Sequence, residues 1–244
     1  MIMKAKCLFI ALICISIAFS ACKDSHEDET HYPGPRIKKI SIYYQGNLID
    51  EKTYHYDFTG KVIKESVSGN YYIQYSYLPG KLMMKAYLPD NTEDVPVDTM
   101  LLNGMGLQTS DYPSTTIKYD ADGYLVEMTL LINNIPNSHT FKIEDGNTVH
   151  WTLRTGNHLE NITNDQVYEF LPNSTNTIGY ENMGMPFYGK QNENLVSKAT
   201  TISHRSTGTY ESTVTYQYEL DANNRVVKKS TVGEPGNYTV YTYY

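Results

Sequence analysis

The strongest constraint on this chain is a repeated local pattern. "TYHYDFTGKVIKES" (53–66), "TIKYDADGYLVEMT" (116–129) and "TYQYELDANNRVVKKS" (215–230) share one plan. In each, aromatic or β-branched residues alternate with polar ones, a cluster of Asp, Asn or Gly follows, and a second alternating run leaves it. Alternation at period two places successive side chains on opposite faces of a strand, and Asp, Asn and Gly between two such runs mark a tight reversal. "YIQYSYLPGKLMMKAY" (72–87) and "HTFKIEDGNTVHWTLR" (139–154) follow the plan more loosely. No window sustains apolar residues at helical spacing. The chain therefore reads as all-β: an antiparallel up-and-down meander of about 14–16 short strands in a strongly curved or barrel-like sheet.

The aromatic balance fits that reading. Tyrosine occurs 23 times against six phenylalanines and one tryptophan. Tyr54/Tyr56, Tyr75/Tyr77, Tyr216/Tyr218 and Tyr241/Tyr243 are two apart, so each pair shares a strand face and can build cross-strand ladders. Tyrosine buries a ring but keeps a hydroxyl that needs a partner, which suits a thinly covered, partly wet core. One segment breaks the pattern: "LPNSTNTIGYENMGMPFYGKQNENL" (171–195) reads as a long loop with room for one helical turn.

The amino terminus carries a different message. Lys4 and Lys6 precede an apolar run from Cys7 to Phe19, then Ser20, Ala21 and Cys22. A basic start, a short apolar stretch and a small-residue junction define a secretory signal, too short to span a bilayer comfortably. "FSAC" resembles the lipobox of bacterial lipoproteins, in which the cysteine is lipidated and becomes the first mature residue; Phe19 stands where that pattern usually has Leu. The expected layout is a signal peptide over 1–21, a lipidated Cys22 with an acidic tether over 22–36, and one all-β domain over 37–244. The tether, with Glu27, Asp28, Glu29, Pro33 and Pro35, cannot bury enough apolar surface to order itself. Its acidic start also resembles an export signal for surface-exposed lipoproteins. The expected location is the outer membrane, facing the cell surface or the periplasm.

Cleavage before Cys22 leaves 223 of the 244 residues, with Cys22 as the sole cysteine. Intrachain disulfides, thiolate metal sites and a cysteine nucleophile are then excluded together. Removing Lys4 and Lys6 from 20 basic residues leaves 18 against 27 acidic ones, a net charge near −9. Such a surface repels polyanions, so no nucleic-acid partner is expected.

The lipoprotein start, the recurring Tyr-x-Tyr hairpins ending in Gly-x-Val or Gly-x-Leu, and the Asn-rich late loop together resemble a family of secreted bacterial lipoproteins of unknown function with a porin-like fold. The resemblance covers about residues 37–244. It implies a curved or closed antiparallel sheet and carries over no catalytic residues.

Asp120 and Asp122 raise the question of calcium. A calcium loop of the EF-hand kind needs oxygen ligands at alternating positions, glycine at the sixth and a carboxylate at the twelfth. Counted from Asp120, the fifth, sixth and twelfth residues are Tyr124, Leu125 and Leu131, so the ligand set collapses after two carboxylates and a turn remains. The histidines after Cys22 show no short metal spacing. His139 and His150 fall on apparently paired strands, where sheet packing accounts for them better than a metal. No metal or cofactor is expected. Nucleophile elbows and phosphate-cradling glycine loops are missing from the sequence. Glu127, Glu144 and Glu169 are scattered acids, explained better by solvated strand faces than by a hydrolytic pair. The terminal "NYTVYTYY" resembles the last strand of membrane barrels. Lys61, Lys64, Glu65, Lys228 and Lys229, however, charge both faces of their strands, against a lipid-facing belt.

What remains is a tyrosine-lined surface suited to sugar rings, peptides or acyl chains. Tyr180, Phe187 and Tyr188, with Met183 and Met185, are its expected exposed rim. The expectation is a non-catalytic envelope lipoprotein, bound to the membrane through its lipid and recognising a glycan or an envelope protein. A lipid-carrying half-barrel and a hydrolase with dispersed carboxylates are the alternatives.

Overall fold

The computed structural model describes residues 35–69, 71–88, 97–110, 115–156 and 162–244; the signal peptide, Cys22 and nearly all of the tether lie outside them. Fifteen strands follow in sequence. The first group is β1 (Ile37–Tyr44), β2 (Asn47–Tyr56), β3 (Val62–Val67), β4 (Tyr71–Leu78), β5 (Lys81–Tyr87) and β6 (Asp98–Leu101). The second is β7 (Thr116–Tyr119), β8 (Leu125–Ile132), β9 (Ile135–Glu144), β10 (Asn147–Thr155) and β11 (Ile162–Thr175). β12 (Asn194–Arg205), β13 (Gly208–Leu220), β14 (Val226–Thr231) and β15 (Tyr238–Tyr243) complete the chain.

All fifteen form one antiparallel sheet in the order β6-β5-β4-β3-β2-β1-β15-β14-β13-β12-β11-β10-β9-β8-β7. Every sequential neighbour pairs except β6 with β7, and the first strand closes on the last, Ile40 facing Tyr241. β6 and β7 are consecutive in sequence yet sit at opposite edges of the sheet. The sheet curves without closing into a hydrogen-bonded barrel. Sequential pairing keeps loop-closure entropy low, and only the β1–β15 pairing joins distant ends of the chain.

Pleating gives the curved sheet an inner face, where its core sits. Tyr54, Tyr75, Leu82, Met100, Ile40, Tyr241 and Val226 are buried there, against Met185, Phe187 and Leu195. The expected tyrosine pairs point to this face, and several of their hydroxyls find partners, while that of Tyr77 is buried without one. Tyr218 donates to the Val196 carbonyl at 2.7 Å, Tyr243 to that of Val226 at 2.8 Å, and Tyr75 to the buried carboxylate of Glu65 at 2.8 Å. Lys52 supplies the counter-charge to Glu65 at 2.9 Å. Burial holds the hydroxyls of Tyr54, Tyr75, Tyr77 and Tyr218 well above the ordinary phenol range, so each stays a neutral donor.

On the outer face, ion pairs join neighbouring strands: Lys118–Glu127 at 2.9 Å, Lys198–Glu169 at 2.8 Å and Lys228–Glu219 at 2.7 Å. Glu127 and Glu169 are thereby occupied, and Glu144 pairs with Lys142 at 2.6 Å on its own strand. The stacked rings of Tyr43 and Tyr238, and of Tyr72 and Tyr87, lie between lysines on this face.

Candidate functional site

One end of the sheet is closed by the late segment, 176–193. Sequence had put this loop at 171–195. Residues 171–175 instead continue β11 through an irregularity at Asn173, which takes a positive φ of 57°, and Asn194 and Leu195 begin β12. The one helical turn expected inside it is a single 3-10 turn, Pro186–Tyr188.

The loop docks on four turns of one design. Asp57, Asn103, Asp120 and Asp221 each use a side-chain oxygen to accept the amides two and four residues on. In each, the residue three on donates to the first carbonyl and takes a positive φ: Gly60, Gly106, Gly123 and Asn224. This side-chain-closed turn explains why Asp or Asn opens the cluster and Gly or Asn ends it. In Asp120, which resembled half a calcium site, a single oxygen, Oδ1, accepts the amides of both Asp122 and Tyr124, at 3.0 and 2.9 Å. Among the described residues, no group of three His, Cys, Asp or Glu is placed to hold a metal.

The amide that follows three of these turns is left for the cap. Val62 donates to the Gly184 carbonyl at 3.0 Å, Gln108 to that of Phe187 at 2.8 Å, and Val226 to the Thr177 hydroxyl at 2.9 Å. At the fourth turn the direction reverses, Lys190 donating to the Gly123 carbonyl at 2.9 Å. Gly184 and Gly189 are required here. A Cβ on Gly184 would lie 2.7 Å from the Gly60 carbonyl oxygen and from the Tyr56 ring; one on Gly189 would meet the Tyr119 ring and the Gly123 carbonyl oxygen at 2.7 and 2.8 Å. Glycine lets the two backbones touch.

Beneath the cap lies a cavity of about 310 Å³. The sheet contributes Ile117, Met128 and Phe141, and the cap contributes Tyr180, Tyr188 and Gln191. Tyr119, Tyr124, Gln108, Asn192 and Lys190 complete an aromatic pocket with an amide rim. Tyr180 and Tyr188 stand together, their ring centroids 4.9 Å apart. Burial raises the Tyr188 and Tyr119 hydroxyls; burial, with the Glu193 carboxylate at 3.1 Å, pushes Tyr124 up to about 12. All three are neutral donors at any physiological pH.

Of the residues expected at an exposed rim, Tyr180 and Tyr188 line this cavity, Tyr180 exposed and Tyr188 half-buried. Phe187 and Met185 are not exposed. They are 1 % and 7 % accessible and plug the core, Phe187 lying 6.4 Å from the Tyr77 ring. The reason is that the loop folds back over the open end of the sheet, where the largest apolar groups have the most surface to bury. His139 and His150 do not face each other either, because His150 stands opposite Lys142 and His139 opposite Leu153. His139 receives the Trp151 indole at 3.2 Å, and burial lowers its basicity. His150 meets Asp165 at 3.0 Å on the outer face, where His204 at 3.2 Å and the Thr152 hydroxyl at 3.0 Å share the same carboxylate. Only the register of β10, β11 and β12 assembles this cluster, and no spacing in the sequence signals it.

No protein-family model matches the chain, and no curated protein matches it. Among solved structures, a porin-like protein from Bacteroides uniformis superposes with a TM-score of 0.53 at 14% identity, covering 87% of this chain and all of the other. The chain thus shares its porin-like, all-β fold with that protein. The TcdB2–TccC3 complex matches more loosely, at a TM-score of 0.35 and 11% identity over 81% of this chain and 14% of that one.

Proposed function

We propose that this chain is a non-catalytic glycan-binding lipoprotein of the bacterial envelope, tethered through Cys22, whose site is the cavity beneath the cap. The observation that carries the reading is the lining. Aromatic faces from Phe141, Tyr180 and Tyr188 stand beside the amides of Gln108, Gln191 and Asn192 in about 310 Å³. A sugar ring has an apolar face that stacks on aromatic groups and a hydroxyl edge that hydrogen-bonds with amides, and the volume is at the small end of ligand pockets. The rim supplies donors and acceptors without a carboxylate pair or an activated nucleophile, which favours recognition over turnover. A lipid-carrying half-barrel is the second reading, favoured by the unclosed sheet and by Leu125, Met128 and Ile143 in the same lining.

The experiment is a thermal-shift screen of neutral oligosaccharides, followed by calorimetric titration of the best. Tyr188→Ala and Gln191→Ala should each weaken binding about tenfold. The absence of a shift with every saccharide defeats the glycan reading. Acyl chains co-purifying with the protein, and lost in Met128→Glu, establish the lipid reading instead. The anchor is tested separately: Cys22→Ala should release the protein from the membrane fraction, and unchanged fractionation would overturn it.

A further inference from the structure

The turn between β2 and β3 presents a phenylalanine to solvent. Phe58 is 83 % accessible, more than any other large apolar residue among those described. The turn holds it there: the Asp57 carboxylate folds back to accept the Thr59 amide at 2.8 Å, the Thr59 hydroxyl at 2.7 Å and the Lys61 amide at 3.1 Å. The acid is thereby turned onto its own backbone, and the apolar ring is what the tip offers. A single exposed apolar side chain needs no explanation, but Phe58 is not alone. The Lys61 amine reaches over the Tyr77 ring near the end of β4, and the Leu102 amide donates to the Gly80 carbonyl at 2.8 Å. The β2–β3 turn, the β4–β5 turn and the Asn103 turn therefore stand side by side. The second and third of them add Leu78, Pro79 and Met105, all exposed.

The chain enters the domain at this same end. Asn182 of the cap donates its side-chain amide to the Pro35 carbonyl at 3.0 Å and accepts the Ile37 amide on its own carbonyl at 2.9 Å. Two residues on, the Gly184 carbonyl accepts the amide of Val62, just beyond the Phe58 turn. One short stretch of cap thus ties the start of the domain to that turn. Cys22 precedes Pro35 by 13 residues, and an unordered chain of that length spans about 20 Å on average. Exposed apolar residues also stand at the opposite end, Ile49 after the β1–β2 turn and Ile132 and Ile135 around the β8–β9 turn. That end lies a strand further from the anchor, about 33 Å for the 10 residues of β2. The tether brings the cap end to a bilayer unstretched, and the opposite end only when extended.

We infer that the turns carrying Phe58, Leu78 and Met105 dock on the lipid bilayer that holds Cys22, with the Phe58 ring seated at the boundary of headgroups and acyl chains. The inference rests on the anchoring of Cys22 proposed above and is independent of the ligand. A lipid on a tether leaves the domain free to swing. Apolar tips at the tether's end fix its orientation, because burying one phenylalanine ring favours the docked state about tenfold or more.

The test uses the lipidated mature protein in vesicles of phosphatidylethanolamine and phosphatidylglycerol. With Cys22 lipidated and Cys7 and Cys14 removed with the signal, no thiol remains, so Phe58→Cys, Met105→Cys and Ile132→Cys each take a single bimane label. A spin label carried on the lipid should quench the dye strongly at positions 58 and 105 and little at 132. Adding Phe58→Ser to the Met105→Cys reporter should shift its docked-to-free ratio about tenfold toward free. It should leave Tm unchanged, since the ring is exposed in the folded domain. Equal quenching at 58 and 132, or none at 58 in protein that floats with the vesicles, overturns the docking. Protein that does not float refutes the anchor, and the docking with it.

Discussion

Replacing Gly184 by alanine tests whether the cap and the sheet form one cooperative unit. Two costs are expected, and a control separates them. The first is conformational: Gly184 sits at φ +68°, and an L-residue there costs about 1–2 kcal/mol. Gly46, at φ +80° in the β1–β2 turn, has nothing within 4 Å of its would-be Cβ, so Gly46→Ala carries the conformational cost alone. The second is steric and specific to Gly184. A new methyl would lie 2.7 Å from the Gly60 carbonyl oxygen and 2.7 Å from the Tyr56 ring. Neither is the far end of a flexible side chain, and Tyr56 is held by its hydroxyl on the Ile37 carbonyl. Forcing the pair apart costs about 1–3 kcal/mol as overpacking. It also lengthens the bond from the Val62 amide, whose residue is wholly buried and has no water to turn to. Gly184→Ala should therefore destabilise by about 2–5 kcal/mol, against about 1–2 for Gly46→Ala. In a domain of this size that corresponds to a Tm drop of roughly 4–20 °C, against a few degrees for the control. Urea denaturation followed by tyrosine fluorescence and by circular dichroism supplies the energies, and coincident curves establish that cap and sheet unfold together. Equal losses for the two variants would refute the docking of the cap on the β2–β3 turn.

Three further outcomes follow from the same interactions. Asp120→Ala removes the acceptor for two turn amides and should cost about 1–2 kcal/mol in urea titration, whereas Asp120→Asn should be nearly silent, as Asn103 already plays that role; a Tm that rises with calcium and falls with chelator would restore the metal reading. Burial pushes the Asp165 carboxyl up, but hydrogen bonds from His204, Thr152 and His150 outweigh it and hold the group below its ordinary 3.8. Its stabilisation is thus complete above about pH 4 and lost as pH falls through the lower folded value; Asp165→Asn should lower Tm at pH 7 and flatten the acid limb of the Tm–pH curve, and an unchanged limb would contradict the assignment. Lys229 lies over the Tyr216 ring at 4.0 Å on the inner face, and burial lowers its pKa. Folding therefore disfavours its protonated form, so stability should rise as pH climbs toward 10, and Lys229→Met should hold or raise Tm at pH 7; a clear fall would mean the amine is stabilising.

The hairpin chemistry was readable residue by residue. Asp57, Asp120 and Asp221 announce reversals because a carboxylate three residues before Gly or Asn closes a turn locally, without help from the rest of the chain. The fourth such turn, at Asn103, carries no such mark, because "NGMG" follows "TMLL" and lacks the run of Tyr or Ile alternating with polar residues that precedes the others. That Tyr54 and Tyr56, or Tyr75 and Tyr77, share a face was equally local, since period two fixes it; that this face is the inner one is decided by the curvature of the sheet. The late loop was recognised as a loop, but its aromatics were assigned to an exposed rim. Phe187 and Met185 are buried because the loop folds over the open end of the sheet, a destination that no local pattern encodes.

The division has one physical cause. Alternation, turn residues and sequential pairing are short-range, so the sequence alone determined an antiparallel meander of about 14–16 strands in which tyrosines two apart share a face. The tertiary structure alone decided what depends on residues far apart in the chain. Joining β1 to β15 puts Tyr241 beside Ile40, and docking the cap joins Gly184 to the turn at Gly60. Strand register assembles Asp165 with His150 and His204. The cavity beneath the cap belongs to this second class, because it is bounded by Tyr180, Tyr188 and Gln191 of the cap on one side and by Ile117, Met128 and Phe141 of the sheet on the other.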